Sequence, residues 1–205
     1  EAVGANSLLT RVGAYYHDIG KTVRPHFFFE NASAAGSDHH GKVSPKLSST
    51  IIISHVKDGV DMAESGRLPP AVVDVIREHH GKSLMAYFYR KAFANSTPDK
   101  KNEVDEDVFR YPGPLPESKE AALVMLADST EAAFRFSPQR TVKNIEAQVE
   151  KVINNKLKDR QLDRCELTLG EIRNIAASFT RVLAGLVHSR GRYPEELLKG
   201  QPILD

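Results

Sequence analysis

Across 205 residues, 28 Lys and Arg stand against 27 Asp and Glu, a net charge of +1, so no basic field marks the chain as a binder of nucleic-acid polymer. The single cysteine, Cys165, excludes an internal disulfide and fits a reducing compartment; no apolar run is long enough to span a bilayer, and no signal-peptide pattern is visible. With 40% hydrophobic and 27% charged residues, the chain reads as one soluble globular domain with a sizeable core.

Taken in order, Val3, Leu8, Leu9, Val12 and Tyr16 recur at helical spacing and predict a helix from Glu1 to about Ile19, with Gly20 as its stop in a left-handed conformation. Phe27, Phe28 and Phe29 make an apolar plug, and a polar loop follows from Asn31 to Lys42. Ser44 and Pro45 form an N-cap and first-turn pair for a helix through Leu47, Ile51, Ile52, His55 and Val56 to about Glu64. The β-branched run Ile51–Ile53 also fits a strand, but the longer periodic frame favours helix. Pro69 and Pro70 open another helix, which carries Val72, Val73, Val75 and Ile76 into His79-His80-Gly81. An aromatic segment, Ser83 to Phe93, reads as helical.

Asn95 to Pro116 is a long irregular stretch containing Tyr111-Pro112-Gly113-Pro114, a kind of loop that is functional or disordered. Ser118 caps the next helix, in which Ala121, Leu123, Val124, Leu126 and Ala127 surround Asp128. Ser137-Pro138 predicts the start of a helix to about Leu157, and Thr168 with Glu171 forms a capping box for a last helix to about His188. The fold class expected is all-α.

Six residues stand out chemically: His17, Asp18, His55, His79, His80 and Asp128. Histidine and carboxylate together suit borderline divalent metals such as manganese, iron or zinc. Phosphate-ester hydrolysis needs several such ligands, because the metals generate hydroxide and neutralise developing charge. Taken singly, each has an ordinary alternative. A lone helix histidine is more often a core or surface residue, and His79-His80 suits a helix C-terminus. Asp128 lies in the apolar setting Met125-Leu126-Ala127-Asp128-Ser129, where a carboxylate is costly unless paired or metal-bound. His26, His39, His40 and His188 read as surface residues, and Cys165 sits in a polar turn without a catalytic role.

With these residues in view, the chain resembles the HD superfamily of metal-dependent phosphohydrolases, all-α helical bundles. His17-Asp18 falls within the common form His-Asp-Ile-Gly-Lys, Asp128 matches the distal Asp, and His55 with His79-His80 matches the extra histidines of the branch that binds two metals. The likeness extends to the cytoplasmic HD domain of bacterial seven-transmembrane HD proteins that hydrolyse cyclic di-AMP. It rests on residues 13–21, 54–59, 79–81, 109–114 and 125–129. The Gly-Tyr-Pro element of the branch that cleaves cyclic di-GMP is missing, since His79-His80 is followed by Gly81-Lys82-Ser83-Leu84. The family's first histidine ligand precedes the His-Asp pair. No histidine precedes His17, and the chain opens on Glu1 without Met, so that ligand is expected upstream, with residues 1–205 forming one HD domain that lacks its first helix or helices.

The resemblance implies two divalent metals, manganese or iron, at the cytoplasmic face of a bacterial inner membrane, with a membrane region attached in the longer protein. Asp18 would bridge the metals. His17 and Asp128 would hold the first, and His55, His79 and His80 the second, with the two members of the doublet not apportioned. Bridging hydroxide would open cyclic di-AMP to pApA, while Lys21, Arg24 and Tyr111 would contact substrate. Lys21 would also neutralise charge during catalysis, and Tyr87, Tyr89 and Phe109 offer further surfaces for adenine. Two rivals are a nucleotide-sensing HD domain that cleaves nothing and a nucleotide or dNTP phosphohydrolase.

Overall fold

A computed structural model describes residues 3–28, 43–97, 99, 104–137 and 141–190. Seven α-helices are described: α1 (Ser7–Tyr16), α2 (Pro45–Ser65), α3 (Pro70–Glu78), α4 (Ala86–Asn95), α5 (Lys119–Arg135), α6 (Val142–Lys158) and α7 (Leu169–Arg190). The described residues contain no strand, only an isolated antiparallel bridge between Leu84 and Arg110. The all-α expectation holds.

Local chemistry explains most helix starts. Ser44 Oγ accepts the Leu47 N–H at 3.2 Å ahead of Pro45, and Ser118 Oγ accepts the Ala121 N–H at 3.1 Å. At α7 the Thr168 N–H donates to Glu171 Oε2 (2.8 Å) and the Glu171 N–H to Thr168 Oγ1 (3.2 Å), the reciprocal capping box.

Four boundaries differ from expectation. Helix α1 starts at Ser7 because Asn6 Oδ1 caps the Leu9 N–H at 3.1 Å, after Gly4 at φ +67° turns the chain. It ends at Tyr16, so His17 and Asp18 lie in a turn that leads into a 3-10 helix, Ile19–Val23. Helix α6 is capped by Thr141, whose hydroxyl accepts the Asn144 N–H at 3.3 Å, rather than by Ser137, and α4 begins at Ala86. Phe29, Asn31 to Lys42, Pro138 and the side chain of His188 lie outside the described residues.

Two apolar clusters build the bundle. Leu9, Val12, Tyr16, Ala63, Val72, Val73 and Ile76 join α1, α2 and α3. Val3, Ala122, Met125, Leu126, Ile145, Val149, Ile153, Ile175 and Leu183 join α5, α6 and α7. Val75 on α3 meets Ala121 and Val124 on α5 and links the two. Side chains such as Ile76, Met125 and Leu126 are fully buried, each contributing about 1.5–3 kcal/mol of transfer free energy. Cys165 packs against the second cluster with its thiol donating to the Leu162 carbonyl at 3.1 Å, so its turn is less polar than the sequence suggests.

Gly20 does not act through a left-handed conformation. It is buried where the 3-10 turn crosses α2, and a Cβ there would lie 2.0 Å from the His55 carbonyl oxygen and 2.5 Å from the Gly59 nitrogen. Only glycine permits this approach, which sets Asp18 against His55.

Candidate metal centre

The six expected ligands come from four places in the chain and converge. His17 and Asp18 follow α1, His55 lies mid-α2, His79 and His80 close α3, and Asp128 lies on α5. Ligand atoms of Asp18, His55, His79 and His80 fall within 4.8 Å of one another, as do those of His17, Asp18 and Asp128. Asp18 belongs to both groups. Its Oδ2 lies 3.0 Å from His17 Nε2 and 2.7 Å from Lys21 Nζ, while Oδ1 faces His55 Nε2 at 3.4 Å and His79 Nε2 at 3.8 Å.

Three of the imidazoles are oriented alike. The Nδ1 of His17 bonds Ala14 O at 2.8 Å, that of His55 bonds Ile52 O at 2.6 Å and that of His79 bonds Ile76 O at 2.8 Å. A carbonyl only accepts, so each Nδ1 carries a proton and each Nε2 is aimed into the site, the arrangement that outer partners impose on metal-binding histidines. His55 Nε2 and His79 Nε2 are then 3.3 Å apart, two lone pairs face to face in a dry interior. Buried Asp18 Oδ1 accepts no hydrogen bond either. Buried acceptors that oppose one another are costly unless a cation lies between them, so the donor set fits divalent metals.

The electrostatics agree. Burial pushes the His55, His79 and His80 imidazoles below their ordinary value, so they are neutral at pH 7 and ready to bind metal. Burial alone would also raise Asp18, yet His17 and Lys21 hold it far below the carboxylate range. Burial works against a charged His17, but Asp18 and Asp128 outweigh it and raise the imidazole. Burial and the nearby Asp18 charge push Asp128 up, a repulsion between carboxylates that a cation would relieve. Buried Phe28 closes the site edge-on to His55 at 5.7 Å, as part of the expected apolar plug. A groove of about 450 Å³, lined by Ala14, His17, Asp18, Asp128 and Phe179, opens beside the first group.

The expected substrate residues fare differently. Lys21 is paired with Asp18 and lies over the Phe28 ring, 5.4 Å from its centroid. Arg24 is tied to α2, paired with Asp58 and donating to Ser54 Oγ at 2.8 Å. Tyr111 is buried and stacked on His80 (centroids 4.1 Å, 24°), so that ring face is closed to an adenine, and Phe109 is core. Tyr87 is exposed. His26 is exposed, as expected; His39 and His40 lie outside the described residues.

Sequence reading missed Lys156. Its ammonium donates to Ser83 Oγ at 2.6 Å, and burial lowers its pKa to about 8 despite the pull of Asp128 and Asp159. In sequence it looks like any lysine in the last turn of a polar helix.

With this geometry, the family comparison is direct: the HD domain family matches residues 1–133. The chain belongs to the HD domain family. It is 48% identical over 199 residues to the cyclic-di-AMP phosphodiesterase PgpH of Bacillus subtilis and 40% identical over 196 residues to PgpH of Listeria monocytogenes. The alignments take in 97% and 96% of this HD chain but only 27% and 26% of those relatives, so the chain spans about a quarter of their length. The crystal structure of the Listeria PgpH HD domain superposes with a TM-score of 0.82 at 40% identity, covering 90% of this chain and 84% of that one. The crystal structure of that domain in complex with cyclic-di-AMP superposes with the same TM-score at 38% identity, covering 89% and 83%. Among the described residues of the HD chain, no helix is long and apolar enough to cross a membrane.

Proposed function

We propose that this HD domain is a metal-dependent phosphodiesterase that hydrolyses a cyclic dinucleotide, cyclic di-AMP to pApA. The observation that carries the reading is Asp18, one carboxylate shared between an Asp18–His55–His79–His80 group and a His17–Asp18–Asp128 group. The donor set is imidazole nitrogen and carboxylate oxygen without thiolate, which suits manganese or iron. When bound, two such ions supply Lewis acidity and activated water for displacement at phosphorus. Similarity to relatives named for cyclic-di-AMP hydrolysis, and to a domain crystallised with that nucleotide, supports the substrate.

The protein's own residues have separable tasks. Asp18 orients the two groups about one point. His55, His79 and His80, kept neutral by burial, present lone pairs, and Phe28 excludes bulk water. Lys21 holds Asp18 ionised and places a positive charge where phosphate charge builds. Arg24, tied to Asp58 and Ser54, serves substrate only by exchanging those partners. The groove beside His17 and Asp128 gives the phosphate its approach. In the longer protein we place this domain at the cytoplasmic face of a membrane-attached chain. The length of the relatives supports additional regions, and fractionation of the full-length protein tests the attachment.

His55→Ala or Asp128→Ala should abolish pApA formation from cyclic di-AMP while leaving helical circular dichroism intact. Full turnover in either variant would sink the assignment. A sensor would protect bound nucleotide and release no pApA. A nucleotide phosphohydrolase would turn over monomeric nucleotides faster.

A further inference from the structure

The imidazole of His80 is held differently from the other three. Among the described residues, no backbone carbonyl stands at its Nδ1; the nearest acidic atom there is Asp128 Oδ2 at 3.9 Å. Its orientation depends on the backbone that presents it and on Tyr111 stacked against it. That backbone is a tight turn: Gly81 sits at φ +54°, its N–H bonds Glu78 O at 2.8 Å, and the Ser83 N–H bonds His80 O at 3.0 Å. Ser83 O in turn accepts the Tyr111 N–H at 3.1 Å, so one turn locates both rings of the stack.

Three side chains from the α6–α7 junction grip this turn. Gln161, 2% exposed, accepts the Lys82 N–H at 2.7 Å and donates its amide to Asp159 O (2.9 Å) and Oδ2 (3.0 Å). Asp159 receives both terminal nitrogens of Arg110, at 3.0 and 3.1 Å, and one of these nitrogens also donates to Lys82 O at 2.8 Å. The residue two beyond His80 is therefore clasped at its N–H and its carbonyl. Lys156 secures the next residue through Ser83 Oγ. Gly81 makes the closure possible: a Cβ there would lie 2.6 Å from Gln161 Oε1. Residues 156, 159 and 161 all lie beyond the segment matched to the HD family, which ends at 133.

We propose that the α6–α7 junction is a latch on the metal centre, with Gln161, Asp159 and Lys156 as positioning residues that set His80 as a ligand of the second group. The inference rests on the reading of that group as a metal site. Partners behind a metal ligand typically govern affinity by 10–100-fold, because they fix where the donor atom sits. A latch acting on His80 alone affects one ion and spares the His17–Asp18–Asp128 group.

The test is manganese binding by isothermal titration calorimetry on the purified domain, with thermal melting alongside. The variants are Gln161→Met, which keeps the volume and removes both hydrogen-bonding functions, and Ser83→Ala, which frees Lys156. Arg164→Ala, which breaks an exposed pair with Glu117 on the same junction, is the control. The parent and control should bind two ions. Both latch variants should keep one site and bind the second ion 10–100-fold more weakly. If Gln161→Met does not fold, Ser83→Ala decides. Parent-like affinity for both ions in a folded latch variant overturns the proposal, whatever the change in melting temperature. A parent that binds no ion overturns the metal reading, and the latch with it.

Discussion

Gly20→Ala is the sharpest perturbation the fold offers. The added methyl would sit 2.0 Å from the His55 carbonyl oxygen and 2.5 Å from the Gly59 nitrogen, and real Cβ contacts essentially never fall below 3.0 Å. The 3-10 turn must retreat from α2 by about 1 Å, and because both obstacles are backbone, no rotamer change relieves the clash. Overpacking that side chains can absorb costs about 1–3 kcal/mol, so a backbone collision belongs at or above the upper end. At about 2–4 °C per kcal/mol for a domain of this size, the metal-free protein should melt roughly 6–12 °C lower. Asp18, two residues away, would withdraw from His55, so calorimetry should also show loss of tight binding of two manganese ions. Gly59→Ala is the comparison: its Cβ meets Ile76 Cγ2 at 3.1 Å and the Gly20 nitrogen at 3.3 Å, and its effect should be smaller. A Gly20→Ala protein that melts within about 2 °C of the parent and binds both ions would refute the argument that this approach sets the Asp18–His55 spacing.

Further outcomes follow from charge. In the metal-free domain His55, His79 and His80 resist protonation when folded but take it up near pH 6.5 when unfolded, so their stability is complete above that pH and lost as pH falls below it. His17 runs the other way, since its raised folded value contributes stability below pH 6.5 that is lost as pH rises through that value. With three groups against one, melting temperature should drop between about pH 6.5 and 5, and a flat profile would contradict the burial argument. Lys156, at about 8 when folded against an ordinary 10.5, costs stability whenever it is charged, roughly 3 kcal/mol at most. Lys156→Met should therefore melt above the parent at pH 7, with the gap narrowing toward pH 10. A lower melting temperature at pH 7 would show that the pull of Asp128 and Asp159 outweighs desolvation.

What was legible in the sequence was what is locally encoded. Ser44-Pro45, Ser118 and Thr168 with Glu171 announce their helices because a cap is a contact within three residues. The six ligands were legible because their residue types are scarce in apolar frames and together resemble a known motif. Contacts between distant segments were not. Gly20 looked like a helix stop, and nothing nearby in sequence says that α2 passes over it. Tyr111 looked like an available ring, yet His80, thirty-one positions earlier in the chain, lies against it. Thr141 rather than Ser137 caps α6, a choice between two suitable hydroxyls that only the path of the chain decides. Lys156 and Gln161 carry no signal at all: their polarity suits an exposed helix end, and only tertiary structure buries them.

The carbonyls that hold His17, His55 and His79 are those of Ala14, Ile52 and Ile76, in each case three residues back along the same backbone. The aim of each ring is thus written within four consecutive residues, while the distances between rings are written elsewhere, in glycines and helix crossings. Aim and spacing are separate inheritances. A descendant can repack its helices and move these donors without having to relearn which nitrogen faces inward, whereas His80 has no such local instruction and takes its orientation from the domain around it.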